Sequence, residues 1–106
     1  MSYPRQDQVQ QFVQFVQDQV INPHYATHFP DADVPQLSVD PGRRYARIVR
    51  NESHGRRSVY GFIDLDNGDI LKAEGWRKPA LHARGSLDDP ESWAKAAEPY
   101  GIVYLR

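Results

Sequence analysis

The chain has 106 residues, 40% of them hydrophobic and 25% charged, with a net charge of −1 and no cysteine. That length supports one modest core and excludes two, and the lack of cysteine excludes disulfides, thiolate metal sites and a cysteine nucleophile. No apolar run approaches the ~20 residues of a membrane span. Met1 to Val9 is polar and lacks the charged and apolar blocks of a secretion signal, so a cytosolic protein without membrane contact is expected. A domain of this size without staples rests on packing, and homo-oligomerisation would be a natural supplement.

Charge is unevenly spread. Residues 1–40 carry one cation against five acids (−4), residues 41–85 ten against five (+5), and residues 86–106 two against four (−2). A total so near zero argues against tracking long phosphate backbones and favours a compact anionic ligand at the basic middle. The same arginines would also serve simply to solvate an open sheet face.

From Gln6 to Ile21, Val9, Phe12, Val13, Val16 and Val20 recur at three- and four-residue spacing, which predicts an amphipathic helix over roughly 1–22, opened near Pro4 and closed by Asn22-Pro23. Residues 23–35, with Pro23, Pro30 and Pro35, read as a loop. Gln36–Val39 and Arg43–Arg50 read as strands joined at Pro41-Gly42, with Tyr45 and Val49 on one side and Ala46 and Ile48 on the other. Residues 57–65 alternate, with Val59, Gly61, Ile63 and Leu65 opposite Tyr60, Phe62 and Asp64, as a central strand does. Asn67-Gly68 predicts a type I′ hairpin turn into a strand over Asp69–Ala73.

Pro79 and Gly85 bracket Ala80–Arg84 with the asymmetry of a short helix, and Asp89-Pro90 opens another through Ala97. Tyr100–Leu105 has the β-branched and aromatic content of a last strand. The expected fold is a single α+β domain over 1–106: an antiparallel sheet of four to five strands, the N-terminal helix packed on it, and two short helices before the last strand.

Several constellations fall short of chemistry. Asp64-Leu65-Asp66-Asn67-Gly68-Asp69 has glycine one place early for a helix-flanked calcium loop, and Gly75 where the bidentate glutamate belongs, so it reads as a hairpin tip. His24 and His28, near Asp31 and Asp33, lie in the proline-framed loop with nothing to fix them as zinc ligands. Ser38, Ser53, His54, Ser58, His82 and Ser86 form no nucleophile turn. No catalytic residues, metal or cofactor are assigned, and a non-enzyme is expected.

One segment concentrates cations, an indole and an expected helix start: Trp76, Arg77, Lys78, Pro79, His82 and Arg84. Unpaired N–H groups at the first turn would face an anion, Arg77 and Lys78 would flank it, and Trp76 would stack on a ring. Arg43, Arg47 and Arg57 on neighbouring strands would add guanidinium forks. The plainer alternative makes Trp76 and Leu81 core residues, the cations around them solvated or paired with Glu74, Asp88 and Asp89.

The run Val59-Tyr60-Gly61-Phe62-Ile63-Asp64, Asn67-Gly68-Asp69-Ile70-Leu71-Lys72-Ala73, Trp76, Pro79-Ala80, His82-Ala83-Arg84-Gly85, Tyr100-Gly101 and Tyr104-Leu105 resembles a family of small, largely uncharacterised proteins of tailed bacteriophages. The likeness spans about residues 36–106, with Gln36-Leu37-Ser38-Val39 and Gly42-Arg43-Arg44-Tyr45, and departs from the family at Arg77-Lys78, where Lys-Ala is usual, and at Leu81, where Lys is usual. The resemblance implies a phage origin and a host cytosol, and no mechanism. Residues and resemblance together lead to a non-enzymatic phage accessory protein binding a nucleotide or short nucleic-acid segment, with sequestration of a host nucleotide signal as one form. The alternative is a module docking on a host or phage protein through Tyr45, Tyr60, Phe62 and Trp93 with the acidic ends as rim.

Overall fold

The computed structural model describes residues 3–103, so Tyr104 and Leu105 at the end of the expected last strand lie outside the described residues. The first apolar stripe forms helix α1, Gln6–Val16, with Val9, Phe12 and Val16 fully buried. The helical path does not stop at Asn22-Pro23. It widens into a π turn over Gln17–Ile21 and continues as α2, Asn22–His28. Pro23 has no N–H to give the preceding turn and its ring collides with a regular helical carbonyl; the wider turn makes room for it. The expected loop is thereby shortened to 29–35.

Gln17, 9% exposed, uses the π turn to reach the sheet. Its Nε2 donates to the Asn22 side chain and to the Pro35 carbonyl, both at 2.9 Å, and its Oε1 accepts the Leu37 N–H at 2.8 Å. That last bond occupies a backbone donor of the edge strand, where an unpaired N–H invites foreign pairing.

Strands β1 (Gln36–Pro41), β2 (Tyr45–Asn51), β3 (Arg57–Asp64) and β4 (Asp69–Leu71) follow, then β5 (Ala73–Gly75), β6 (Lys78–Pro79) and β7 (Gly85–Ser86). The main sheet is five-stranded and antiparallel, in the order β1-β2-β3-β4-β7; β5 and β6 form a separate hairpin. Residues 90–96 are helical, ending in α3 (Trp93–Ala96), and β8 (Ala97–Glu98) pairs with β9 (Gly101–Ile102) in a hairpin of its own. The expected α+β class, the N-terminal helix and the antiparallel sheet are therefore present, together with the second of the two short helices.

The first is absent: residues 79–84 are not helical. Pro79 sits in β6 opposite Ala73, and His82 takes a positive φ of 74°. The backbone instead pairs with the preceding strands, Ala80 N–H donating to Lys72 O and Arg84 N–H to Ile70 O at 2.7 and 2.8 Å. The Arg84 guanidinium turns inward onto the carbonyls of Leu81 and His82 at 2.7 and 2.6 Å. Leu81, 80% exposed, is no core residue.

Cross-strand partners share a face. Ala46, Ile48, Ile63 and Ile70 face the helices and join Val9, Phe12, Val16, Ile21, Trp93 and Ile102 in one core. Phe12 meets the Trp93 ring edge-on at 5.5 Å between centroids, and Trp93 Nε1 donates to Ser86 O at 3.0 Å. The other face carries the row Asp40, Arg47, Phe62 and Leu71.

Strict alternation fails once. Ile48 pairs with Gly61 and Val49 with Val59, so Tyr60 is the extra residue of a bulge and joins Ile63 in the core instead of sharing the face of Phe62. Gly61 beside it must be glycine, since a Cβ there would lie 2.5 Å from Ile102 Cγ1 and 2.9 Å from Leu71 O. Gly61→Ala is expected to cost about 1–3 kcal/mol through overpacking, read as a lower urea midpoint at unchanged slope.

The buried Tyr60 hydroxyl donates to Glu98 O at 2.6 Å. Burial, and after it the nearby Glu98 charge, pushes the phenol well above its ordinary range. A raised folded-state value means that the native chain holds the proton longer than the unfolded one. This contribution is thus complete below pH ~10 and is lost as pH rises beyond it. Tyr60→Phe is expected to flatten the alkaline fall in stability above pH ~10, at a cost of about 1 kcal/mol at neutral pH for the lost hydrogen bond.

The Asn67-Gly68 turn also differs from type I′. Gly68 has a φ of 83° while Asn67 is not left-handed, and Gly68 N–H reaches back to Asp64 O at 2.7 Å. The Asn67 side chain instead accepts the Asp69 N–H at 2.9 Å, an Asx turn that makes a second positive φ unnecessary.

Candidate functional site

The β1–β2 turn and the tip of the β5–β6 hairpin enclose an open cavity of about 260 Å³ on the sheet face away from the helices, lined by Asp40, Arg43, Arg44, Tyr45, Arg47, Phe62 and Arg77 among others. Its position follows from the pairing. Asp40 lies opposite Arg47 and Arg47 opposite Phe62, so the row across three strands forms the floor, with Tyr45 meeting the Phe62 ring edge-on at 6.5 Å.

The arginines divide by occupation. Arg47 Nη2 donates to Asp40 at 2.9 Å, its Nη1 reaches Trp76 O at 3.4 Å, and its guanidinium lies 4.4 Å from the Trp76 ring centroid. It therefore holds the hairpin tip to the sheet and is not a free fork for a ligand. Arg44 pairs with Asp64 at 3.3 Å and Asp66 at 3.7 Å, and the Asp64 hydrogen bond, with the surrounding charges, holds its guanidinium still more firmly protonated.

Arg43 and Arg77 make no ion pair or side-chain hydrogen bond among the described residues. Both are exposed at the cavity. Trp76 is 38% exposed, so it is not a core residue, and Arg57, also exposed, lies 5.5 Å from its ring centroid.

Of the residues singled out in the sequence, Trp76, Arg77, Arg43, Arg47 and Arg57 thus converge on one surface. Lys78, Arg84 and His82 do not share in the cavity. Lys78 turns to Glu74 at 3.5 Å, and His82 and Arg84 belong to the connection into β7, the edge of the sheet opposite β1. With the 79–84 helix absent, no helix N-terminus adds to the site.

Asp40, Arg44, Tyr45 and Phe62 are lining residues that the sequence reading did not place there. A turn at Pro41-Gly42 would have set Asp40 against Arg43; in the structure Pro41 still pairs with Ala46 and the turn falls at Arg43-Arg44, which sets Asp40 against Arg47 and puts Arg43 at the tip. The proposed aromatic docking patch is dissolved by the fold: Tyr60, Phe62 and Trp93 are at most 9% exposed. Exposed aromatics instead lie at Phe29 (44%) and Tyr100 (56%), grouped with His24 and His28. The two imidazoles stand on α2 and stack at 4.3 Å, His24 Nε2 meeting the Tyr100 hydroxyl at 3.2 Å. No group of three or more metal-ligating side chains occurs among the described residues.

Helices packed on one face of an antiparallel sheet, with an arginine-rimmed aromatic cavity on the other, define the class of this protein. Residues 5–101 match the model of a family of unknown function (DUF7717), and the chain belongs to that family. No curated protein and no solved structure matches it. No helix among the described residues is long and apolar enough to cross a membrane.

Proposed function

We propose that this protein binds a nucleotide or a short nucleic-acid segment at the open face of its sheet, without transforming it. The observation that carries the reading is the pair Arg43 and Arg77, both without a carboxylate partner among the described residues, beside an exposed indole and the Tyr45–Phe62 floor. Guanidinium forks match phosphate oxygens, and an accessible indole offers a stacking surface to any base.

Arg47 and Arg57 support the reading in another way, by positioning the indole. In this proposal the protein is a phage accessory factor in the cytosol of an infected cell, where holding a nucleotide signal out of circulation is one use of a binding site without chemistry. A thermal-shift screen against mononucleotides, cyclic dinucleotides and short single-stranded oligonucleotides is expected to give a stabilising ligand whose effect shrinks between low and moderate salt. A flat screen at low salt would remove the proposal.

A second reading, docking on a host or phage protein, now rests on Phe29 and Tyr100. Their joint replacement by serine is expected to abolish recovery of a partner from host lysate if that reading holds.

A further inference from the structure

Resting on the nucleotide reading, we infer that the cavity selects a terminal phosphate monoester, the end of a nucleotide or oligonucleotide, over an internal phosphodiester. Counting charge gives the first argument. Asp40 is taken by Arg47, and Arg44 is shared by Asp64 and Asp66, which do not line the cavity; among the described residues Arg43 and Arg77 are the lining cations that make no ion pair. A monoester carries about −1.5 to −2 at neutral pH and a diester carries one charge, so the monoester is the closer complement of two guanidiniums.

Geometry gives the second. A terminal phosphate presents three non-bridging oxygens against a diester's two, enough for two forks to engage it together. A cavity of about 260 Å³ is at the small end for ligand sites, and Trp76, outside the lining but stacked on the lining residue Arg47, leaves room for one phosphate and its sugar inside with the ring outside.

The monoester's second ionisation, near pH ~6, supplies a readout that a diester lacks. The titratable groups facing the cavity are Asp40, Arg43, Arg44, Tyr45, Arg47 and Arg77, with no histidine, the side chain that ordinarily changes charge between pH 5 and 8. A loss of affinity on acidification therefore reports the ligand.

The test is calorimetric titration of the full chain with adenosine, its 5′-monophosphate, its 3′,5′-cyclic phosphate, and one trinucleotide with and without a 5′-phosphate, at pH 7.5 and 5.5. Inorganic phosphate and a phosphoserine peptide complete the set. The 5′-phosphorylated ligands are expected to bind at least tenfold more tightly than their unphosphorylated or cyclic counterparts and to lose severalfold at pH 5.5. Arg43→Gln and Arg77→Gln are expected to erase the difference, while Arg56→Gln, in the β2–β3 turn, preserves it. Equal binding of the two trinucleotides would overturn the inference and leave the nucleotide reading standing. Equal binding of the phosphopeptide and the nucleotides would overturn the choice of nucleotide ends, and no binding by any nucleic-acid ligand would remove both readings.

Discussion

Phe12→Ala is expected to lower the unfolding free energy by about 3–5 kcal/mol, the range for deleting a buried aromatic ring. Phe12 is fully buried and edge-on to Trp93, which in turn ties α3 to β7 through its indole N–H. The cavity would open where the N-terminal helix, the sheet and the last helix meet. Against a total of about 5–15 kcal/mol for a domain of this size, the loss leaves the variant near its folding threshold. Urea unfolding followed by circular dichroism reads it directly, and a loss below about 1 kcal/mol would mean that α1 is not an integral layer of the core.

The second large effect belongs to the site. Trp76→Ala is expected to weaken nucleotide binding by roughly 10- to 100-fold, since stacking a base on an aromatic ring contributes about 1–3 kcal/mol. The same change should cost the fold about 1 kcal/mol at most, because the indole is partly exposed and gives up little beyond its contacts with Arg47 and Arg57. Trp76→Phe should recover part of the affinity. Calorimetry alongside thermal unfolding separates the two effects, and equal losses in both would make Trp76 a packing residue.

Much of the fold could be read from local pattern. The stripe Val9, Phe12 and Val16 forms the helix that its spacing predicts, Asn67-Gly68 lies in a real reversal, and the reversal expected at Pro41-Gly42 falls two residues on, at Arg43-Arg44. What escaped depends on contacts distant in sequence. Pro23 would end an isolated helix, but here a π turn carries it, with Gln17 bonded to Pro35 and Leu37 across the junction. Tyr60 breaks the alternation because the β8–β9 hairpin offers its hydroxyl a carbonyl at Glu98, which nothing near residue 60 announces.

The Pro79–Gly85 segment satisfied a helix signature and still formed no helix. Pairing of Pro79 with Ala73 and of Arg84 with Ile70 uses its backbone against the preceding strands. For the site, composition brought Trp76, Arg77 and the sheet arginines into view, while cross-strand register decided which cations are paired. Arg47 is held by Asp40 directly opposite it on β1 and Arg44 by Asp64 at the end of β3, whereas Arg43 and Arg77 make no ion pair among the described residues.

Arg50 marks the same limit. This arginine, 6% exposed, is held by Glu52 at 2.6 Å and by the Tyr25 hydroxyl. Its side chain falls on the core side of β2, next to α2, and so it leaves the basic face despite its place in the basic segment.

The central claim is that Arg43, Arg77 and Trp76 form one binding site for a nucleotide. Its most direct test is calorimetric titration of the full chain with the best nucleotide from the screen at low salt, repeated with Trp76→Ala and with Arg43→Gln/Arg77→Gln. The account predicts one saturable site in the unmodified chain, at least tenfold weaker binding in each variant, and unchanged far-ultraviolet circular dichroism throughout. Affinity unchanged in both folded variants would contradict it and return these arginines to the role of a solvated sheet face.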